Sequence, residues 1–474
     1  MNHKKTLKNI IGVTLSNCST IVAGVMIGFV IPKIFTVSDY GLYKTFTLYT
    51  NYIGLFSIGI IDGIVLDYGM YDYEELDRRK FRAFFKWYIL VQAIVCAILL
   101  SVSFFTGDRD RTFIIVALAA DILAVNTTGY YQQISQITQR FRELSLRKVL
   151  QSIANILVVG ALLFVSIRSG SVGYQIYIII YIAVCMLLTI WYVYTYRDIS
   201  FGEGASLKET RNELGHLIKI GFPLLFANLC STLILTLDRQ FVNILFTNTE
   251  YAVYAFAYNM LSLVTVATSA ISTVLYPILK RTTPDTLKKN YSDLVSIMLV
   301  FVYGALIAYF PLCAFIRWFL PKYTDSLIIF RVIFPGLAIS SSITVVMHNY
   351  YKTLGDNIKY FKKSILILLL SATANGVAYI IFRTTVSISV ASIVTMIVWY
   401  LYVEQYFVHN YGYSRWKNFL YLLLMACNFY AITCISNWIL SGIVYVSSYT
   451  VITFFIQKDI IKVAKDYLKG RKHD

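Results

Sequence analysis

Charge is scarce in this sequence. Only 14% of its 474 residues are Asp, Glu, Lys or Arg, whereas 58% are hydrophobic; a soluble domain carries about 25% charged residues. With a mean hydropathy of +0.64, soluble cores cannot hide so much apolar surface, and a bilayer must cover it. Paired cysteine chemistry is missing as well. Cys18, Cys96, Cys185, Cys230, Cys313, Cys427 and Cys434 lie in apolar stretches without CxxC or His spacing. That excludes a disulfide framework and a zinc site, and they read as small buried hydrophobes. No Walker loop, HExxH or GxSxG occurs, and no long outer loop could house a catalytic domain. His348 and His409 fall near helix ends and read as interfacial. The sequence therefore predicts no catalytic residue, no metal and no cofactor.

Long apolar runs are what is there. A spanning helix needs about 20 predominantly apolar residues. Such windows fall near 10–32, 44–66, 84–105, 113–136, 149–167, 174–195, 218–245, 251–277, 292–319, 325–349, 364–382, 386–408, 418–434 and 437–456. The expected fold class is an all-α polytopic membrane protein with about fourteen transmembrane helices. Lys4, Lys5 and Lys8 precede the first run, which is too long for a signal peptide and lacks a cleavage site; it reads as the first membrane helix. Only Ser436-Asn437 separates the last two runs.

Basic residues set the expected orientation. Placing the N-terminus inside puts most of the 42 Lys and Arg on cytoplasmic segments, among them Arg78, Arg79, Lys80, Arg140, Arg197, Lys280, Lys352 and Lys458. The positive-inside rule requires this pattern, and it predicts both termini on the cytoplasmic side. Positive charge spread over short loops faces anionic lipid and argues against nucleic acid. Tyr and Trp at segment ends, such as Trp191, Tyr192, Tyr194 and Tyr196 or Trp399, Tyr400 and Tyr402, read as an interfacial belt. Residues 197–216 contain Ser206-Leu-Lys-Glu209, a capping box opening a short amphipathic helix. The tail places Ile461, Ala464 and Leu468 on one face and predicts a helix on the inner surface.

The sequence also repeats itself. Ile34-Phe-Thr-Val-Ser-Asp-Tyr-Gly-Leu-Tyr43 aligns with Leu245-Phe-Thr-Asn-Thr-Glu-Tyr-Ala-Val-Tyr254, and both join the first two helices of a six-helix block. Six is even, so the blocks enter the membrane in the same direction, as a parallel repeat about an axis along the membrane normal. The expected organisation is an N-terminal lobe over 1–196, a cytoplasmic linker over 197–216, a C-terminal lobe over 217–410, and a helix pair with a basic tail over 411–474.

Two six-helix lobes with an appended pair resemble the multidrug/oligosaccharidyl-lipid/polysaccharide exporter superfamily, and within it the polysaccharide-transporter branch of Wzx-type flippases. The resemblance rests on Pro32, Asp39-Tyr-Gly-Leu-Tyr43, Gly59-Ile-Ile-Asp-Gly63 and Asp67-Tyr-Gly69. It rests also on Gly221-Phe-Pro-Leu-Leu225, Asp238-Arg239, Tyr254-Ala255 and Tyr276-Pro277. It implies a flippase that carries undecaprenyl-pyrophosphate-linked oligosaccharide across the bacterial cytoplasmic membrane for O-antigen, capsule or exopolysaccharide. The partners it implies are the polyprenyl-linked substrate, membrane lipids and polysaccharide polymerase machinery. Relatives often carry a basic residue where this chain has Asp67, so no headgroup role passes to that position. An ion-coupled multidrug exporter and a lipid II flippase share the fold and stay open. A membrane-embedded polymerase or acyltransferase would need an outer loop or an intramembrane His or Asp cluster.

Ionisable residues inside helices nominate the site. Each costs about 2.5–3.5 kcal/mol at a helix centre and should face a cavity or a partner. Asp121 lies roughly 12 Å into the fourth window and Arg331 roughly 9 Å into the tenth, at 1.5 Å per residue. Asp238 and Arg239 are consecutive, point about 100° apart and need separate partners. Arg239, Arg331 and Lys44 are the expected cationic lining for a pyrophosphate or acidic sugar, with Asp238 and Asp121 as counter-ions or ion-coupling carboxylates. Asp62 and Glu404 approach the inner interface and are expected to snorkel. Gln92, Asn126 and Asn375 among the helix-internal amides suit either sugar hydroxyls or neighbouring helices. Pro223, Pro277, Pro311 and Pro335 mark expected bends.

Overall fold

In lipid a backbone must satisfy its own hydrogen bonds, so uninterrupted apolar runs become helices. The computed structural model describes residues 3–69, 71–170 and 172–458, and their regular structure is entirely helical. In chain order the helices are α1 (His3–Ile34), α2 (Val37–Thr50), α3 (Ile60–Tyr68), α4 (Arg78–Ser103), α5 (Arg109–Ile137), α6 (Phe141–Ser169) and α7 (Tyr174–Thr195). Then come α8 (Arg197–Ser200), α9 (Leu207–Leu245), α10 (Asn248–Lys280), α11 (Pro284–Ala305), α12 (Tyr309–Phe319), α13 (Ser326–Ile333) and α14 (Gly336–Ser341). The last are α15 (His348–Leu354), α16 (Asn357–Phe382), α17 (Thr385–Tyr411), α18 (Trp416–Ile432) and α19 (Trp438–Ile456).

A helix stands at each of the fourteen windows. Among the described residues ten are long and apolar enough to cross a membrane, or twelve if each of two bent pairs is one span. Neither α10 nor the 17-residue α18 is in that tally, so a count of fourteen spans is not established. Outward-facing rows such as Leu90, Ile94 and Ile98 on α4, or Leu187 and Ile190 on α7, are exposed. Water would not tolerate such rows, and lipid does; the chain is a multi-pass membrane protein. Between the last two runs, the Asn437 side chain accepts from the backbone of Ile439 and Leu440 at 3.0 and 3.2 Å and starts α19.

The chain forms two compact units. The first runs to Thr232 and includes Thr247–Ala252; the second takes Leu233–Phe246 and the residues from Val253 on. The division between these units falls within α9, and residues 197–216 belong to the first unit. The reason is local: Tyr73 donates to Asp198 at 2.7 Å, Lys86 to the Gly202 carbonyl at 2.9 Å, and Tyr68 to Glu213 at 2.6 Å. The expected capping box is present, with the Glu209 amide donating to Ser206 Oγ at 3.3 Å and the Ser206 amide to Glu209 at 2.9 Å. It opens the 39-residue α9, not a separate short helix. The expected tail helix around Ile461, Ala464 and Leu468 lies outside the described residues.

Within the first unit the span at window 44–66 is broken by 57°. Ile58 and Gly59 take φ of 53° and 79°, the left-handed region where a β-branched residue is strained. Two carbonyls freed at the break find side-chain donors: Gln92 donates to Phe56 at 2.9 Å and Asn126 to Ile53 at 3.1 Å. Asn126 also donates to Gln92 at 2.7 Å. These two amides thus serve the backbone. Gly221 lies against Gly59 so closely that a Cβ there would strike the Gly59 carbonyl oxygen.

The repeated segments build the same helix start. Thr36 accepts from the Asp39 amide at 3.1 Å and donates to its carboxylate at 2.8 Å. Thr247 does the same with Glu250 at 3.3 and 2.7 Å. The two copies also meet: a Cβ on Gly41 would collide with the Asn248 carbonyl, and Tyr251 donates to the Lys44 carbonyl at 3.2 Å.

Three expectations change on folding. Cys18 and Cys427 on helix surfaces, and Cys434 in the turn after α18, are exposed instead of buried. Of the expected aromatic belt, Trp191, Tyr194 and Tyr402 are exposed, but Tyr192, Tyr196, Trp399 and Tyr400 are buried packing residues. Glu404 does not snorkel; it is fully buried and accepts from Tyr400 at 3.1 Å and Tyr413 at 2.8 Å.

Candidate functional site

The second unit contains a cavity of about 410 Å³, within the range of small-molecule sites. It forms beside the second bent span, where Ser326–Ile333 and Gly336–Leu354 meet at 45°. Pro335 stands at the joint, where it removes a backbone donor. A π-helical stretch, Ser342–Met347, follows; such widened turns expose backbone and recur at functional sites. From this span Ser340, Ser341 and Thr344 line the cavity. Opposite them α10 presents Tyr258, Ser262, Thr265, Thr268 and Ser272, at spacings that keep them on one helix face. Ile393 and Met396 of α17 supply apolar wall.

Arg239 is the charged residue of the lining. Its Nη2 donates to the Leu235 carbonyl at 2.7 Å, and its guanidinium lies 4.4 Å from the Tyr258 ring centroid. Its buried Nε has no partner among the described residues. The neighbouring Asp238 does not neutralise it through an ion pair. Asp238 is 2% exposed, and its carboxylate accepts from the Arg239 amide at 2.8 Å, from Tyr254 at 2.7 Å and from Tyr258. Two phenols one helical turn apart on α10 therefore hold the anion, and the cation is left to the cavity.

The other nominated residues lie elsewhere. Arg331 is not in this lining although Ile333 is; two residues on a helix point about 200° apart. Arg331 instead lies near Tyr309 and Tyr430. Lys44 belongs to the first unit, with its ammonium 5.3 Å from the Tyr40 ring centroid and 5.6 Å from that of Tyr43. Asp121, also in the first unit, is fully buried, and neither carboxylate oxygen has a hydrogen-bond partner among the described residues. Of the five, Arg239 lines the cavity and Asp238 abuts it. Sequence reading missed the tyrosine clamp and the hydroxyl row. The spacing of Ser262, Thr265, Thr268 and Ser272 on one face was a legible signal for the hydroxyl row.

Comparison with known proteins agrees with this architecture. A family model described as "Polysaccharide biosynthesis protein" matches residues 6–283. Among curated protein sequences none matches. The structure is similar to the lipid II flippase MurJ in an inward closed conformation, with a TM-score of 0.69 and 14% identity over 96% of this chain and 100% of that one. It is similar also to an inward-facing multidrug resistance MATE transporter of the MOP superfamily, with a TM-score of 0.58 and 14% identity over 86% and 96%. A Vibrio cholerae MATE transporter gives 0.53 with 13% identity over 86% and 98%. With apolar helices throughout and a family match over more than half its length, the chain belongs to the polysaccharide biosynthesis protein family, on the fold of the exporters and flippases of the MOP superfamily.

Proposed function

We propose that the protein flips a polyprenyl-pyrophosphate-linked oligosaccharide across the bacterial cytoplasmic membrane by alternating access, for assembly of O-antigen, capsule or exopolysaccharide. Both termini are cytoplasmic in this reading, because that orientation places most basic residues inside. The headgroup crosses through protein while the prenyl tail remains in lipid. One observation carries the proposal: a hydroxyl-rich cavity in the second unit whose guanidinium has no carboxylate paired to it among the described residues. Sugars offer many hydroxyls and lipid-linked glycans carry negative charge, so this lining suits both. An exporter of organic cations is disfavoured by the same residue, since Arg239 repels a cationic drug. A lipid II flippase is the second reading, favoured by the likeness to the MurJ fold.

Deletion of the gene should leave complete lipid-linked repeat units on the inner leaflet, measured by extraction and leaflet-specific labelling. Accumulation of lipid II would select the second reading, and drug sensitivity without lipid-linked intermediates would overturn both. Arg239→Gln should lower export by about tenfold or more at unchanged protein level, since a charge-assisted contact contributes roughly 1.5–3 kcal/mol.

A further inference from the structure

The cavity's polar groups discriminate between the two anionic parts of a lipid-linked glycan. Most of its hydroxyl protons are already committed. Ser262 donates to the Asn259 carbonyl at 2.6 Å, Thr265 to Ser262 at 3.0 Å, and Thr268 to Thr265 at 3.0 Å. Across the cavity Ser340 donates to Leu337 at 3.3 Å and Thr344 to Ser340 at 2.8 Å. Each hydroxyl that has given its proton to its own helix presents lone pairs to a ligand. A diphosphate bridge is acceptor-only and would meet rows of acceptors. A sugar ring carries hydroxyl donors and would be received by them.

Charge points the same way. Among the described lining residues Arg239 is the single cation, and no Lys, His or second Arg joins it. A diphosphate diester brings two negative charges, one of which would stay uncompensated inside the protein. A sugar carboxylate brings one, which a guanidinium matches in charge and planar geometry. Size sets the number of units, because about 410 Å³ lies near the low end of ligand pockets and suits one ring, not an oligosaccharide.

We infer that this cavity is a subsite for a single carboxylate-bearing sugar residue, a hexuronate-like ring, with Arg239 taking the carboxylate and the serine and threonine rows of α10 and the bent span accepting from the ring hydroxyls. That this sugar belongs to the transported glycan rests on the transport reading; the recognition itself does not.

Saturation-transfer NMR on the full-length protein in nanodiscs tests the recognition with three probes: glucuronate, glucose and inorganic pyrophosphate. Glucuronate should bind at least tenfold more tightly than glucose. Arg239→Gln should bring the ratio to about one, and Arg239→Lys, which keeps the charge, should retain part of it. Equal binding of the two sugars, a ratio unchanged by Arg239→Gln, or pyrophosphate outcompeting glucuronate tenfold would each overturn the subsite. Composition of the cell's polysaccharide then separates the two claims. Loss on gene deletion of a polysaccharide containing an acidic sugar supports that sugar as part of the cargo, and loss of a wholly neutral one overturns that assignment while transport stands. A polysaccharide unaffected by deletion retires the transport reading, and the NMR ratio still decides the subsite.

Discussion

Each unit interrupts one of its spans, and the two interruptions have opposite consequences. In the first unit the bend at Ile58 and Gly59 is filled: backbone packs on backbone at Gly59 and Gly221, and Gln92 and Asn126 close the freed carbonyls. In the second unit the bend at Pro335 stays open, and hydroxyls and Arg239 line the gap. A broken helix inside a membrane is thus not itself a site. What matters is whether neighbours supply small residues and amides that seal it, or leave polar groups facing a void.

The comparison breaks most readily at the glycines. Gly221→Ala should destabilise the protein by about 1–3 kcal/mol, because the added Cβ meets backbone that cannot turn aside. Gly336→Ala should cost less, since its Cβ clashes with the Cδ1 tip of Ile393, which can change rotamer, and its other neighbours lie at ordinary contact distance. Thermal unfolding in detergent gives both values, and equal losses would contradict the filled-versus-open distinction.

The carboxylates sharpen it. Asp238→Asn should cost about 1.5–3 kcal/mol, since two phenols lose a charged acceptor. Asp121→Asn should be neutral or stabilising, because an amide needs no counter-ion and neither carboxyl oxygen has a hydrogen-bond partner among the described residues. A large loss from Asp121→Asn would mean the acid has a partner. Next, Asn126→Leu should destabilise by about 1–3 kcal/mol through the orphaned Ile53 carbonyl. Native-state hydrogen exchange should show the loosening confined to the first bend; loosening spread evenly over the chain would argue against a sealing role.

The smallest effects test the repeat. Thr36→Ala and Thr247→Ala should each cost about 1 kcal/mol, the ordinary loss of a helix cap. The two values should agree within a few tenths if the copies are physically equivalent, and unequal unfolding shifts would show that the shared letters do not do the same work.

Much of the fold was legible because lipid makes the demand on each residue simple. A run of about 20 apolar residues becomes a helix wherever it lies, so every window has its helix. The bend at Ile58 was not legible, since no proline marks it and the left-handed turn depends on Gly59 being pressed against Gly221, far away in sequence. Arg239 could be singled out by the cost of a charge in a span. Its neighbour's partners could not, because Tyr254 and Tyr258 look in sequence like any aromatic residue near a helix end. The cysteines erred in the other direction: an apolar stretch tells that a residue avoids water, not whether protein or lipid covers it.

Membrane residence, the helical class, the repeated threonine caps and the candidate charges were fixed by the amino-acid sequence, because each follows from local composition or from neighbours within one helical turn. Tertiary structure alone decided which bend is sealed, that tyrosines hold Asp238 and leave Arg239 to the cavity, and that Arg331 faces away from it. Those outcomes turn on contacts between helices, and the packing of a helix's neighbours is not written in its own residues.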